Sequence, residues 1–357
     1  MRSTSVRGIA RRVRCQALSG LPLVLWLGCA SSGTVRPSEP VPPPRPAPAP
    51  VMPQALPPGH PPIPSGDPRD EGAAGLQLRD GATGAPLGEE ALRARIRSAR
   101  AIYVGERHDS AASHQAQLAV VALAYSVDPS LGVGLEMLPQ ALQPQLDAYV
   151  VGSVDEDGFL RAVEWPKTWG FDFALYRPIF EFCRAHGVRL YALNAARNLS
   201  RAVRQKGVDG LSAAERDALP TGYPWPAPAA HQAMLRAIWS AHAAQHGGAA
   251  GGSAHGAAAP VADAEREASF QRFYTAQLVW DEAMAQAVVA VLQAKAGAPQ
   301  RLVVLAGTGH VGRHAVPERA ARRGVTASLT LGPIEGDAAP PTGAESIDVG
   351  YRVPPER

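Results

Sequence analysis

From about residue 100 to residue 331 the chain alternates between two hydrophobic patterns. Short runs of apolar residues are separated by longer stretches in which apolar residues recur every three or four positions. The short runs are Ala101 to Val104, Gly132 to Leu135, Val188 to Leu193, Leu302 to Ala306 and Val325 to Leu331, and they predict strands. The stretch from Ala264 to Lys295 is the clearest of the second kind. Its Phe270, Phe273, Leu278, Trp280, Met284, Val288 and Val291 build one apolar stripe, which predicts a helix packed on a core. Strands alternating with amphipathic helices predict an α/β fold with a mostly parallel central sheet flanked by helices. The site is then expected at the carboxyl ends of the strands.

Two tracts fall outside this alternation. Ser31 to about Asp70 is dominated by proline, cannot form a core and tends toward an extended, semi-rigid spacer. Gly247 to Ala259 is rich in glycine and alanine and reads as a disordered loop insertion at about 246–262, flanked by His246 and His255 as solvated residues. The expected organisation is therefore a segment 1–28, a linker 29–70 and one α/β domain 71–357.

The residues just after each strand carry the chemistry. Gly105-Glu106-Arg107-His108-Asp109 follows the first run, Glu136 and Met137 the second, Asn194 and Arg197 the third, and Gly307-Thr308-Gly309-His310 the fourth. In both Gly-x-x-His segments the glycine permits a sharp turn, so the side chain three residues on can fold back over the sheet edge. Two imidazoles and two carboxylates, Glu106, His108, Glu136 and His310, then face one volume. Such a set can bind a divalent metal through His108 and His310, or work as acid and base, and spacing does not choose between these uses. His114 and Gln117 lie one turn apart on the following helix and can overhang the same pocket, although capping or packing suits His114 equally well. Gln277 and Asp281 share a face beside the apolar stripe, where they can order the histidines; a solvated face is the competing reading.

Composition narrows the picture. With 357 residues and 46% hydrophobic content the chain can bury a full core. Arg2, Arg7, Arg11, Arg12 and Arg14 all precede Cys29 and no acidic residue does, so losing residues 1–28 takes the formal charge from +3 to about −2. Nothing here argues for a nucleic-acid partner. The same arginines, the apolar stretch Leu21 to Leu27 and then Gly28-Cys29 read as an export signal too short to span a bilayer. Trp26-Leu27-Gly28-Cys29 resembles a bacterial lipobox, with Trp26 where a smaller aliphatic is usual, and implies a lipidated, palmitate-bearing Cys29. Cys15 is lost with the signal, which leaves Cys183 alone on an apolar helical stretch as a buried small hydrophobe with no disulfide partner.

Taken in order, the motifs resemble the ChaN-type haem-binding lipoproteins, which group with the Tiki, TraB and erythromycin-esterase proteins. The matching stretches are Gly105 to Asp109 with His114 and Gln117, then Gly134 to Met137 with Gln143 and Leu146 to Tyr149. Trp165 to Gly170 with Tyr176-Arg177-Pro178, Asn194 with Arg197, Ala276 to Ala285 and Ala306 to His310 complete a series spanning about residues 85 to 353. Two departures are Asn194-Ala195-Ala196-Arg197, which lacks the family-like proline, and the inserted tract 247–259.

The resemblance implies a lipid-anchored protein of the bacterial envelope, expected in the outer membrane, that serves haem or iron uptake. Haem would be held without covalent attachment, since no Cys-x-x-Cys-His segment exists. Its needs are an apolar slot, an axial tyrosine or histidine and an arginine for the propionates. Tyr149, Tyr176, His231 and His310 are candidate ligands and Arg197 a propionate partner, with Asp109, His114, Asn194, Gln277 and Asp281 around them. The partners expected are haem or another small molecule, the membrane and a second copy in a homodimer. The alternative is a metal-dependent hydrolase, in which His108 and His310 hold the metal or act as bases while Glu106 or Glu136 activates water. A scaffold with a structural polar rim is the blandest reading.

Overall fold

All six residues of Ala101–Glu106 are buried, as a strand covered on both faces requires. In the computed structural model the described residues are 75–246, 260–341 and 346–354. The export signal, Cys29, the proline-rich linker and the tract 247–259 with His255 lie outside them.

Eight strands form one sheet: β1 (Leu78–Asp80), β2 (Pro86–Leu87), β3 (Ala101–Glu106), β4 (Gly132–Pro139), β5 (Arg189–Asn194), β6 (Leu302–Gly307), β7 (Ser328–Glu335) and β8 (Val349–Val353). Their order is β2-β1-β8-β7-β3-β6-β4-β5. Pairing is parallel from β8 to β5, and only β1 with β2 and with β8 is antiparallel. The expected α/β class with a mostly parallel sheet is thus present.

The five expected strands are all there, each with shifted ends. β3, β4 and β6 run on through Glu106, Pro139 and Gly307, whereas β5 and β7 start later, at Arg189 and Ser328. The helix expected from Ala264 to Lys295 spans Pro260–Leu292, with proline at its start, where the missing N–H costs nothing. Three strands were not anticipated. β1 and β2 have only three and two residues, too few to show alternation.

Successive side chains on a strand point to opposite faces. Ile102 and Val104 of β3 enter the core layer under the helices Ala111–Val127 and Phe173–Ala185. Ala101 and Tyr103 enter the opposite layer with Met284 and Val288 of the long helix. Each fully buried aliphatic side chain contributes ~1.5–3 kcal/mol, so these two layers fix which way every strand residue faces up to the carboxyl ends.

The order of the strands makes the site. The chain lays down β3, β4 and β5 and then returns β6 between β3 and β4. The carboxyl ends of β3, β6, β4 and β5 therefore stand side by side at a switch point of the sheet, where open α/β folds form their crevices. On β4 the pairing with β5 loses register between Leu135 and Pro139. Such an irregularity re-aims side chains, and it contains Glu136.

Candidate functional site

Glu106 ends β3 on the face of Ile102 and Val104, and it is 1% exposed. Its Oε1 accepts from His108 Nδ1 at 2.8 Å and from the Tyr176 hydroxyl at 3.1 Å. His114 Nδ1 lies 2.9 Å from Oε2. Burial opposes ionisation of Glu106, but the bonds from His108 and His114 and the charges of the two imidazoles outweigh it and hold the carboxyl below its ordinary range. Burial likewise opposes charge on His108 and His114, and their bonds to Glu106 overcome it, so both stay more basic than a free histidine. The helix Ala111–Val127 is capped by Ser110, so His114 and Gln117 occupy its first two turns and face the sheet. His114 Nε2 meets the His108 carbonyl at 3.1 Å, and Gln117 donates to the Val104 carbonyl.

Across the crest of the sheet stands a second group. Glu136 Oε2 accepts from the Gly307 N–H at 2.6 Å, and its Oε1 lies 3.3 Å from His310 Nε2. His310 Nδ1 is 2.7 Å from Asp281 Oδ1 on the helix Pro260–Leu292. Asp281 in turn lies 3.5 Å from Arg319, a side chain with no exposure at all, and 3.6 Å from His231 Nε2. Arg319 also reaches Glu282 at 3.1 Å and the carbonyls of His314 and Ala315. Burial works against a charged His310, yet Glu136 and Asp281 raise it to about 9. His231, buried and far less compensated, is pushed down to about 4.

Between the two groups lies Gly307. A Cβ there would fall 2.7 Å from His108 Cε1 and 3.0 Å from its Nε2, so only glycine leaves this space for the ring. Glu106, His108, Glu136, Gly307 and His310 form the floor of a cavity of ≈ 380 Å³. One wall is Trp169 and Phe171, whose rings lie 4.8 and 4.9 Å from that of His108. Leu235, Ile238, Phe273 and Trp280 line it as well, and Asn194, Arg197 and Gln277 supply polar groups around it.

The structure therefore brings Glu106, His108, Glu136 and His310 together, with Asn194, Arg197 and Gln277 on the cavity and His114 and Asp281 behind it. Asn194 works through the backbone, donating to the Glu136 carbonyl at 2.8 Å. Asp109 is exposed and outside the lining. Tyr149, expected as a ligand, is 2% exposed and packs on Phe159 and Phe180 in the core. Tyr176 is fully buried, with its hydroxyl engaged by Glu106 and by Trp169 Nε1. His231 lies under the floor beside Asp281 and does not line the cavity. Among the described residues no group of three His, Cys, Asp or Glu is arranged to hold a metal ion, so the divalent metal expected at His108 and His310 finds no support. The reason is geometric: both ring nitrogens of His310 already have carboxylate partners. Cys183 is free and fully buried, and burial pushes its thiol up, as a small hydrophobe requires.

Sequence reasoning missed Arg319 and the cavity side of Gly307. Arg319 sits among Arg322 and Arg323, a basic helix end that reads as solvated. Only packing of Val316–Arg322 against Pro260–Leu292 buries it. Gly307 carried a signal, since glycine at a strand exit marks close approach.

A family model described as "Haem-binding uptake, Tiki superfamily, ChaN" matches residues 92–320. Among solved structures, one described as cofacial heme binding to ChaN of Campylobacter jejuni superposes with a TM-score of 0.57. It is 16% identical, and the match covers 77% of this chain and 96% of that one, a likeness of fold. A variant of an erythromycin esterase in its open conformation gives 0.42 at 11% identity, over 72% of this chain and 77% of that one. In sequence, the chloroplast protein RETICULATA-RELATED 5 of Arabidopsis thaliana is 34% identical over 91 residues, 25% of this chain and 12% of its own length.

Proposed function

Because the chain belongs to the haem-binding uptake family, ChaN, of the Tiki superfamily, we propose that it is an exported bacterial lipoprotein that holds haem in the cavity above β3, β6, β4 and β5 for haem and iron uptake. The observation that carries this reading is the cavity itself. Its lining is aromatic and aliphatic, with Trp169, Phe171, Phe273 and Trp280, and it includes the half-buried imidazole of His108. Apolar walls with a few placed polar groups are what a large flat ligand needs. The donors fit haem as well: His108 is held through Nδ1 by Glu106 and is not fully covered. Arg197, exposed at the lining, suits a propionate.

The envelope location rests on the export signal and Cys29. The chain is anchored there by lipid, with the proline-rich 29–70 as spacer. Titration of the full chain with hemin, followed at the Soret band, is expected to show saturable, stoichiometric binding; its absence would remove this function. Cys29→Ser is expected to move the protein from the membrane to the soluble fraction, and a variant that stays bound ends the lipid-anchor reading. Light scattering with and without hemin tests for the homodimer.

A further inference from the structure

The helix Ala229–His246 turns one face inward. Leu235 and Ile238 of that face line the cavity, and His231, one turn before Leu235, lies beneath them with 1% of its surface exposed. Residues three and four apart share a helix face, so the imidazole and this part of the cavity lining are carried on one element. The helix rests on Pro260–Leu292. Farther along, the Trp239 and Phe270 ring centroids lie 5.8 Å apart, and Arg236 meets Glu267 at 2.7 Å in an exposed pair that holds little.

The seat of His231 suits a neutral ring and not a charged one. Among the described residues neither ring nitrogen has a hydrogen-bond partner, and the Tyr274 hydroxyl, on a ring 5.7 Å away, has none either. The long helix faces His231 with Tyr274 and with Asp281, whose Oδ2 lies 3.6 Å from Nε2. The helix Val316–Arg322 faces it with Arg319, 3.5 Å from that same oxygen, and Glu318 lies beyond. His310 and His314 act on it from the segment before. Glu282 is taken up by Arg319, Arg322 and Arg323, and Asp281 already holds His310 through Oδ1 at 2.7 Å. One carboxylate thus answers two cations, and a third would stand unbonded in a dry space before Arg319. Burial pushes His231 down to about 4 against the pull of Asp281, and Arg319, His310 and His314 add to the push.

Resting on the haem-binding reading above, we propose that His231 is an acid-operated latch: a proton on its ring lifts the helix Ala229–His246 from its seat, withdraws Leu235 and Ile238 from the cavity and releases the bound ligand. In neutral solution the ring is an uncharged plug that holds the helix down. The seated ring refuses a proton that the unseated ring takes from solvent below pH 6.5, so acid favours the open position. The step is reversible, and the proton returns to solvent when the helix is seated again. Between pH 7 and pH 4.5, linkage raises the opening constant by ~50-fold for a ring shifted from 6.5 to about 4.

Hydrogen exchange of the full chain without hemin, corrected for the intrinsic effect of pH, reads the latch itself. The wild type is expected to lose ~50-fold protection across residues 229–239 between pH 7 and pH 4.5, while Ala101–Glu106 and Leu302–Gly307 keep theirs. His231→Phe fills the seat without a titrating group, and its protection is expected to stay level. His231→Gln, smaller and equally uncharged, is expected to do the same, and His314→Gln to match the wild type. Hemin release from the loaded chain into an excess of a haem scavenger is expected to accelerate at least ~10-fold more in the wild type than in His231→Phe over this range. Protonation of the ligand's own groups is common to both chains and cancels in that ratio. Protection that stays level in the wild type, protection that falls equally in both His231 variants, or release that accelerates equally in wild type and His231→Phe overturns the latch while haem binding stands. A wild type that binds no hemin ends the haem-binding reading, and the exchange measurement still decides whether His231 unseats the helix.

Discussion

The two Gly-x-x-His segments are alike in sequence and unlike in their surroundings. Gly105 to His108 delivers an imidazole that leans on one carboxylate and leaves its second nitrogen to the cavity. Gly307 to His310 delivers one clamped at both nitrogens, between Glu136 and Asp281, and backed by the wholly buried Arg319. The first sits in the layer of Ile102 and Val104, the second over the layer of the long helix. One motif thus leaves a ring half-buried at the cavity, and the other closes both ring nitrogens against carboxylates. The spacing sets where a histidine begins, and partners distant in sequence set what it can do.

The sharpest way to break the contrast is at the closed half. Arg319→Met takes one cation from Asp281 and Glu282, leaving His310 beside the first and Arg322 and Arg323 beside the second, and is expected to cost ~3 kcal/mol in chemical denaturation. A loss below ~1 kcal/mol would mean that water reaches these charges and that the half is not closed. Glu106→Gln keeps the shape of the open half but removes the charge that His108 and His114 share, for an expected ~1.5–3 kcal/mol. Gly307→Ala drives a methyl against the His108 ring. The expected cost is ~1–3 kcal/mol, together with weaker hemin binding; unchanged affinity would separate the cavity from this ring.

The last test is the pH dependence of stability. His310 is raised from 6.5 to about 9, so its contribution to stability is fully present below pH 6.5 and is lost as the pH rises through about 9. His231 is lowered from 6.5 to about 4 and acts in the opposite sense: its contribution is present above pH 6.5 and is lost as the pH falls toward 4. Unfolding free energy measured across this range is expected to lose its alkaline limb in His310→Gln. An alkaline limb that survives there assigns it to another group.

The class of the fold and four residues of the site were legible because they are written locally. Strands covered on both faces appear as unbroken apolar runs, and the polar residue that ends each run marks a carboxyl end. Asp281 was legible too, one turn from Gln277 beside an apolar stripe. The order of the strands was not, because nothing in the run Leu302 to Ala306 says that it inserts between β3 and β4. The placement of the tyrosines was not legible for a related reason. Residue type makes Tyr149 and Tyr176 plausible iron ligands, but the direction of a hydroxyl is decided by packing, here among Phe159, Phe180 and Trp169. β8 carried a readable alternation in Val349–Val353, although its place beside β7 was not readable.

The account turns on the inequivalence of His108 and His310, and nitrogen NMR of the histidine rings addresses it directly. Spectra of the full chain would be compared before and after adding gallium protoporphyrin, a diamagnetic stand-in for haem. The ring signals of His108 are expected to move on loading while both His310 nitrogens stay protonated and unmoved. Movement confined to His310, or equal movement of both rings, would contradict this inequivalence.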